Sequence, residues 1–229
     1  MLLPNKEAIY GEWLPNSIKK TRDRTGLDEL IDYLKNHTQV EVVDVRAALL
    51  GAKRQERVFL KTDTHLNAYG AFLVYQEIMK PITKWFPAVK PNSLNEFMIE
   101  RNGKYNGDLA LMIGGTAFLK EERINLLPHK QRKALKVEIN TSFKEPFAME
   151  QEDPSLPRAL VFRDSFLTAV IPFLSENFQY SKYYWNNWDA DTPIAEMIAS
   201  VRPDIVIEEE VERLIKHNVL DISKKESSR

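Results

Sequence analysis

With 229 residues, 43% hydrophobic and 28% charged, the chain is long enough to bury a core and too apolar to remain disordered. Its 32 Lys and Arg face 33 Asp and Glu for a net charge of -1, which lacks the clustered basic excess of a nucleic-acid binder. The complete absence of cysteine rules out disulfides and a thiol nucleophile.

In chain order, Met1-Leu2-Leu3 ahead of Pro4 is too short for a signal peptide, and no later apolar run reaches membrane-spanning length. The chain reads as soluble and begins as though mid-strand, so an upstream piece carrying an N-terminal strand is expected to be missing. Leu27, Leu30, Ile31 and Leu34 recur at helical spacing and predict an amphipathic helix over 27–36. The β-branched run Val40 to Val45 predicts a strand, 46–53 a short helix, and Arg57 to Leu60 a second apolar run. Asn67 is placed to cap a helix from Ala68 to about Met79, which Pro81 helps to stop. Pro87 to Pro157 carries scattered Gly, Pro and Asn and is too long for a bare loop. It reads as an insertion or cap with short elements near 97–100 and 135–139. Arg158 to Arg163 has a buried-strand pattern, followed by an apolar helix over 166–178, a strand over 180–185, a helix over 192–200 opened by Pro193, and a last strand over 204–207. Strands alternating with helices predict an α/β domain over 1–222, with a parallel sheet covered on both faces and a polar tail at 223–229.

Two short motifs can carry chemistry. Lys61-Thr62-Asp63-Thr64-His65-Leu66-Asn67 lies between an apolar run and a helix, at the strand edge where open α/β sheets place their sites. Residues two apart in an extended turn project to the same side, so Asp63 can fix the tautomer of His65 and leave its other nitrogen as a general base. The plainer alternative is that Asp63 and Thr64 start the next helix and His65 lies on the surface. In Arg163-Asp164-Ser165-Phe166, a serine at a strand-to-helix turn displays its hydroxyl beside backbone N–H groups able to hold an oxyanion. Here the alternative is that Asp164 or Ser165 is only a helix cap. A metal would need a further ligand beside Asp63 and His65, and His37, His129 and His217 have no ligand spacing to His65, so no metal is expected. Walker and dinucleotide fingerprints are absent and no cofactor is expected; Gly107-Asp108-Leu109-Ala110 and Gly114-Gly115 read as turns. Tyr180, Tyr183, Tyr184, Trp185 and Trp188 form an aromatic cluster that suits core packing better than sugar stacking unless it is exposed.

Pro4-Asn5-Lys6 with Ile9-Tyr10 and Leu14-Pro15, the Lys61 to Asn67 motif leading into Gly70-Ala71, Gly107 to Ala110, Asp164-Ser165-Phe166 with Pro172-Phe173-Leu174, and Arg202 to Ile207 with Glu212-Arg213 follow one another in an order that resembles the alginate O-acetyltransferase AlgJ/AlgX-like family. The resemblance implies an SGNH-hydrolase-like three-layer α/β/α domain with an inserted segment. It also implies that Ser165 is the nucleophile, His65 the general base and Asp63 its orienting partner, in the family's order of Asp-x-His before Ser. It further implies a polysaccharide acceptor, a membrane-bound O-acyltransferase as acetyl source, and a periplasmic or secreted location. Lys6, Tyr10, Arg163, Tyr184 and Trp185 are weaker candidates for substrate contact. The chain departs from the pattern in its missing export signal and upstream strand, and in having no recognisable C-terminal carbohydrate-binding module. The expected function is polysaccharide O-acetylation through an acetyl-serine. A carbohydrate esterase and a non-catalytic biosynthesis scaffold are the alternatives, with a metal-dependent enzyme last.

Overall fold

The computed structural model describes residues 1–137, 142, 144–185 and 193–215. In chain order these form β1 (Leu2–Leu3), α1 (Lys6–Ile9), α2 (Gly26–His37), α3 (Arg46–Ala52), α4 (Ala68–Trp85), β2 (Phe97–Tyr105), α5 (Asp108–Met112), β3 (Glu121–Pro128), β4 (Leu135–Lys136) and β5 (Phe147–Glu150). There follow β6 (Arg158–Arg163), α6 (Ile171–Leu174), β7 (Tyr180–Trp185), α7 (Ile194–Val201), β8 (Ile205–Glu208) and β9 (Glu210–Val211).

The layering follows from β6. Successive side chains alternate across a strand, and here both faces are apolar. Ala159 and Val161 join the large core that contains Phe72, Tyr75 and Ile78 of α4, whereas Leu160 and Phe162 pack with Val201 of α7. A strand buried on both sides needs a helical layer on each, which gives the expected α/β/α build. The sheet order is β4-β5-β7-β6-β8, with β7 and β8 parallel to β6. The sheet is parallel only in this middle part, because β5 joins β7 and β4 joins β5 antiparallel. Both added strands come from the inserted segment; antiparallel strands can extend a sheet edge without crossover helices.

Two expected strands do not form as such. In 40–45 only Asp44 bridges, to Leu2, and in 57–60 only Phe59 bridges, to Leu66. Their polar backbone is satisfied otherwise: Val58 N–H donates to the Tyr10 hydroxyl at 3.1 Å and its carbonyl accepts from Asn67 N–H at 3.1 Å. Helix α4 also outruns its expected stop, reaching Trp85 with Pro81 inside it. Pro81 removes one hydrogen bond, but Met79, Pro81 and Ile82 are all buried, and that packing carries the helix on. The expected single helix over 166–178 is divided into a 3-10 turn (Phe166–Ala169), α6 and a second 3-10 turn (Ser175–Asn177). Ile139, Thr192, Trp188, His217 and the tail at 223–229 lie outside the described residues.

The inserted segment positions the site through the β2–β3 hairpin, which pairs Phe97 with Pro128 and, past a bulge, Tyr105 with Glu121. Phe97 and Leu126 sink into the core beside Phe72, while the hairpin end carrying Tyr105, α5 and Glu121 reaches the turn that carries Asp63.

Candidate active site

The Asp63–His65 turn is a short excursion between two buried ends. Leu60 N–H donates to the His65 carbonyl at 3.1 Å, and Asn67, which caps α4 by accepting from Gly70 N–H at 2.8 Å, closes the return. Gly70 is required there, since a Cβ would stand 2.1 Å from the Val58 carbonyl oxygen. Three side chains from elsewhere hold the excursion. Lys6 Nζ donates to the carbonyls of Leu60 at 2.6 Å and of Lys61 and Asp63 at 3.0 Å each. The buried Glu121 carboxylate accepts from Lys61 N–H at 2.8 Å and from Thr62 N–H and Oγ1 at 2.7 Å each, and pairs with Arg57 at 2.9 Å. Burial opposes ionisation of Glu121, yet these donors outweigh it and lower its pKa. Asp108 accepts from Thr64 N–H at 2.7 Å and from its hydroxyl.

Within this frame, His65 Nδ1 bonds Asp63 Oδ1 at 2.6 Å, and the same oxygen accepts from the His65 backbone N–H at 2.9 Å. The Tyr105 hydroxyl donates to Asp63 Oδ2 at 2.6 Å. Burial raises the cost of charging Asp63, but hydrogen bonds from the His65 ring, Tyr105 and the His65 backbone prevail and hold its pKa well below the usual carboxylate range. Burial and the neighbouring carboxylate push Tyr105 up to about 12, so it remains a donor. Gly107 closes over this pair; a Cβ there would lie 2.2 Å from the Cβ of Asp63.

Across the gap, His65 Nε2 lies 2.9 Å from Ser165 Oγ. Ser165 follows β6 after the single residue Asp164 and its side chain makes no cap hydrogen bond, so it is not the plain helix cap of the alternative reading. That duty falls to Asp164: its buried carboxylate accepts from Phe166 N–H at 2.7 Å and from Val211 N–H at 2.9 Å, while its own N–H donates to Glu209 at 2.9 Å. The expected pool of backbone donors behind the serine is therefore smaller, because Phe166 N–H is taken; among the described residues the Ser165 N–H has no hydrogen-bond partner. Burial, with Asp164 alongside, pushes the Glu209 carboxyl well above its ordinary pKa. The Phe166 ring lies 4.9 Å from the His65 ring and shields one side of it.

Ser165, His65, Asp63 and Tyr105 open into a cleft of about 530 Å³, walled by Arg123 to Leu127 of β3, by Arg132 and by Phe166, Pro172 and Phe173. The weaker substrate candidates do not line it. Lys6 is spent on the three carbonyls above, and the buried Tyr10 hydroxyl on Val58. Arg163 is buried, donates to the Asp164 carbonyl at 3.3 Å and Thr168 Oγ1 at 3.1 Å, and lies over Trp185 at 4.9 Å. Tyr184 packs on Phe162 on the α7 side of the sheet. Tyr184 and Trp185 are half-buried. Sequence reasoning missed Tyr105, Glu121 and Arg132, whose positions in the inserted segment give no local signal; Gly107-Asp108 was noted only as a turn. Among the described residues, Asp63, His65 and Asp108 bring one ligand atom each within 4.8 Å of one another, a geometry that could accept a cation. In the structure the Asp63 and Asp108 oxygens are already committed to His65, Tyr105 and Thr64.

A serine at the rim of an α/β/α sheet, facing a histidine that is itself held by a buried aspartate, is the arrangement of the serine-hydrolase-like classes of α/β domain. The model of one family, described as SGNH hydrolase-like domain, acetyltransferase AlgX, matches residues 1–144. The match extends over more than half of the sequence, and the chain belongs to that family. It includes Asp63 and His65 but ends before Ser165, whose place beside His65 comes from the structure. No curated protein matches. Among solved structures, the chain is similar to a DHHW family protein from Eubacterium siraeum, with 14% identity, 92% of this chain and 76% of that one covered, and a TM-score of 0.69. PatB1 of Bacillus cereus, carrying a sulfonyl adduct, is 18% identical over 91% of this chain and 79% of its own, with a TM-score of 0.64. The O-acetyltransferase domain of Pseudomonas putida AlgJ is 18% identical over 93% and 73%, with a TM-score of 0.51. At these identities the likeness establishes the fold alone. No helix among the described residues is long and apolar enough to cross a membrane.

Proposed function

We propose that this chain is a polysaccharide O-acetyltransferase that works through an acetyl-serine at Ser165, in the modification of an alginate-like exopolysaccharide. The observation that carries the reading is the unbroken line from Asp63 to His65 at 2.6 Å and from His65 to Ser165 at 2.9 Å. Asp63 holds the Nδ1–H tautomer, which leaves Nε2 to take the Ser165 proton as Oγ attacks the acetyl carbonyl. The donor's leaving oxygen departs with that proton. A sugar hydroxyl then attacks the acetyl-serine while His65 takes its proton, and Oγ recovers the proton as the ester bond to the enzyme breaks. The Ser165 N–H is the oxyanion donor on the nucleophile's side.

The family description and the O-acetyltransferase activity named for the AlgJ domain support acetyl transfer as the reaction type. The surroundings of the cleft support an acidic polymer as acceptor. Arg132 is shared with a second depression of about 510 Å³, which adds Lys90, His129, Lys130 and Lys133. Its two carboxylates are occupied, Glu176 by the backbone N–H groups of Lys133 and Ala134, and Glu96 by Ser93 N–H and Asn92. A carboxylate-bearing sugar chain crossing both depressions would meet Arg123 and Arg132 in the first and Lys90, Lys130 and Lys133 in the second. Periplasmic or secreted action, with acetyl groups supplied by a membrane-bound O-acyltransferase, completes the proposal.

The test is turnover of a chromogenic acetate ester by wild type and Ser165→Ala, followed by mass spectrometry of an acidic oligosaccharide acceptor. Wild type should release acetate, and Ser165→Ala should lose about 10³-fold or more with its fold intact. A sulfonyl fluoride should add one sulfonyl group at Ser165 and nowhere else. Acetate without acetylated sugar would turn the reading to an esterase, and an inert wild type to a scaffold.

A further inference from the structure

The four most exposed large hydrophobic side chains among the described residues fall within eight positions: Leu111 at 69%, Met112 at 74%, Ile113 at 72% and Phe118 at 75%. They project from α5 and the turn after it, at the open end of the β2–β3 hairpin. Single exposed apolar side chains are ordinary, but four on one projection form a patch that water does not favour. Much of the backbone beneath them is paired within the segment. Leu111 N–H donates to Gly107, Ile113 to Leu109, Gly114 to Leu111, Gly115 to Ala110, and Phe118 and Leu119 both to Gly115. Gly114, at φ 67°, allows the turn to close on itself in this way. A segment facing hydrocarbon must pair its own amides, whereas one covered by a protein can borrow partners.

Charge points the same way. No ionisable residue occurs over 109–119, and Thr116 is the one polar side chain there. Lysines gather at the base: Lys104 and Lys120 adjoin the Tyr105–Glu121 pair of the hairpin, and Lys61 N–H donates to Glu121. All three lysines are exposed. Of the carboxylates nearby, Asp108 is turned in to Thr64, Glu121 is buried, and exposed Glu122 stands beside Arg123. We propose that this apolar tip with its cationic collar docks in the interface of an anionic lipid bilayer. The combination of apolar insertion and lysines at headgroup level is what interfacial binding uses. The tip is rooted in the site, since Ala110 N–H donates to the Thr62 carbonyl at 3.1 Å and Asn106 Nδ2 to the Thr116 carbonyl at 2.8 Å. Docking therefore brings the cleft of Ser165 to the membrane surface.

The proposal stands independently of acyl transfer, and its test reads lipid binding. Wild type and Ser165→Ala should both sediment with vesicles of equal parts phosphatidylcholine and phosphatidylglycerol, and far less with phosphatidylcholine alone. Met112→Ser with Phe118→Ser, and separately Lys104→Glu with Lys120→Glu, should weaken that binding about tenfold or more without changing the circular dichroism spectrum. Because the chain has no cysteine, Met112→Cys can carry a single environment-sensitive fluorophore. Its emission should shift to the blue on anionic vesicles, whereas a label at Lys35→Cys on α2 should not respond. Wild type remaining in the supernatant, a label at 112 that stays water-like on bound protein, or a label buried by concentration-dependent self-association without lipid would each overturn the proposal.

Discussion

The Asp63–His65 turn and the Ser165 turn meet across 2.9 Å, yet they are held in opposite ways. The first is tied down by side chains far from it in sequence: Lys6 before it, and Tyr105, Asp108 and Glu121 of the inserted segment after it. The second grows out of a strand buried from Ala159 to Arg163 and is fastened by carboxylates, Asp164 and Glu209, packed beneath the sheet edge. A base held by replaceable polar contacts can be re-aimed by changes in the hairpin. A nucleophile held by the core moves only when the core does. Substitutions on the hairpin side should therefore cost catalysis ahead of stability, and those behind Ser165 the reverse.

The largest effect is expected from Asp63→Asn, which keeps the shape of the turn but offers His65 the wrong tautomer. Ester turnover should fall by about 10⁴-fold with a small change in melting temperature. Asp63 has a depressed folded pKa, so its contribution to stability is complete above the ordinary carboxylate range and is lost only as the pH falls through the lower, folded value. Gly107→Ala comes next. The new Cβ would stand 2.3 Å from Asp63 Oδ2, and the displacement it forces should lower kcat about 10²-fold, with KM for a small ester little changed.

Glu121→Ala sharpens the comparison further, since it strands Arg57 and the Lys61 and Thr62 amides. It should lower kcat by about 10–10²-fold, ahead of a loss of about 1–3 kcal/mol in a denaturant melt. Were it instead to leave activity and stability untouched, the remote clamp would not be what holds the base. Tyr105→Phe removes one charge-assisted bond to Asp63 and should lower kcat about tenfold, with the loss recovered in neither high salt nor high substrate.

The smallest effect lies behind the nucleophile. Glu209 has a raised folded pKa, so the stability it contributes is full below the ordinary glutamate pKa and is lost as pH rises through the folded one. Melting temperature should decline over that rise in wild type and stay flatter in Glu209→Gln, which keeps an acceptor for Asp164 N–H.

Much of the nucleophile's half was legible in the sequence. Arg158 to Arg163 and Tyr180 to Trp185 read as strands with the bounds they have in the structure, the first because a strand buried on both faces announces itself as a continuous apolar run, the second from its aromatic residues. The Asp-x-His spacing likewise anticipated that Asp63 and His65 would converge, since alternation along an extended turn is local geometry. The apolar run at Arg57 to Leu60 misled for the same reason: hydrophobicity marks burial, but Tyr10 and Asn67 decide where its amides and carbonyls go. Pro81 misled as well, because local propensity weighs one missing hydrogen bond and cannot see the buried neighbours that outweigh it.

By itself the sequence determined that Asp63 and His65 converge and which strand leads into Ser165, because these depend on side-chain identity and short-range periodicity. Only the tertiary structure decided that Lys6, once a candidate for substrate, is a clamp, and that Tyr105 and Glu121 complete the base's setting. It also decided that Arg132 joins two basic depressions and that α5 presents its apolar side chains to the outside. Hydrogen bonds and exposures of this kind join residues tens of positions apart, and no pattern along a chain encodes a distance across it.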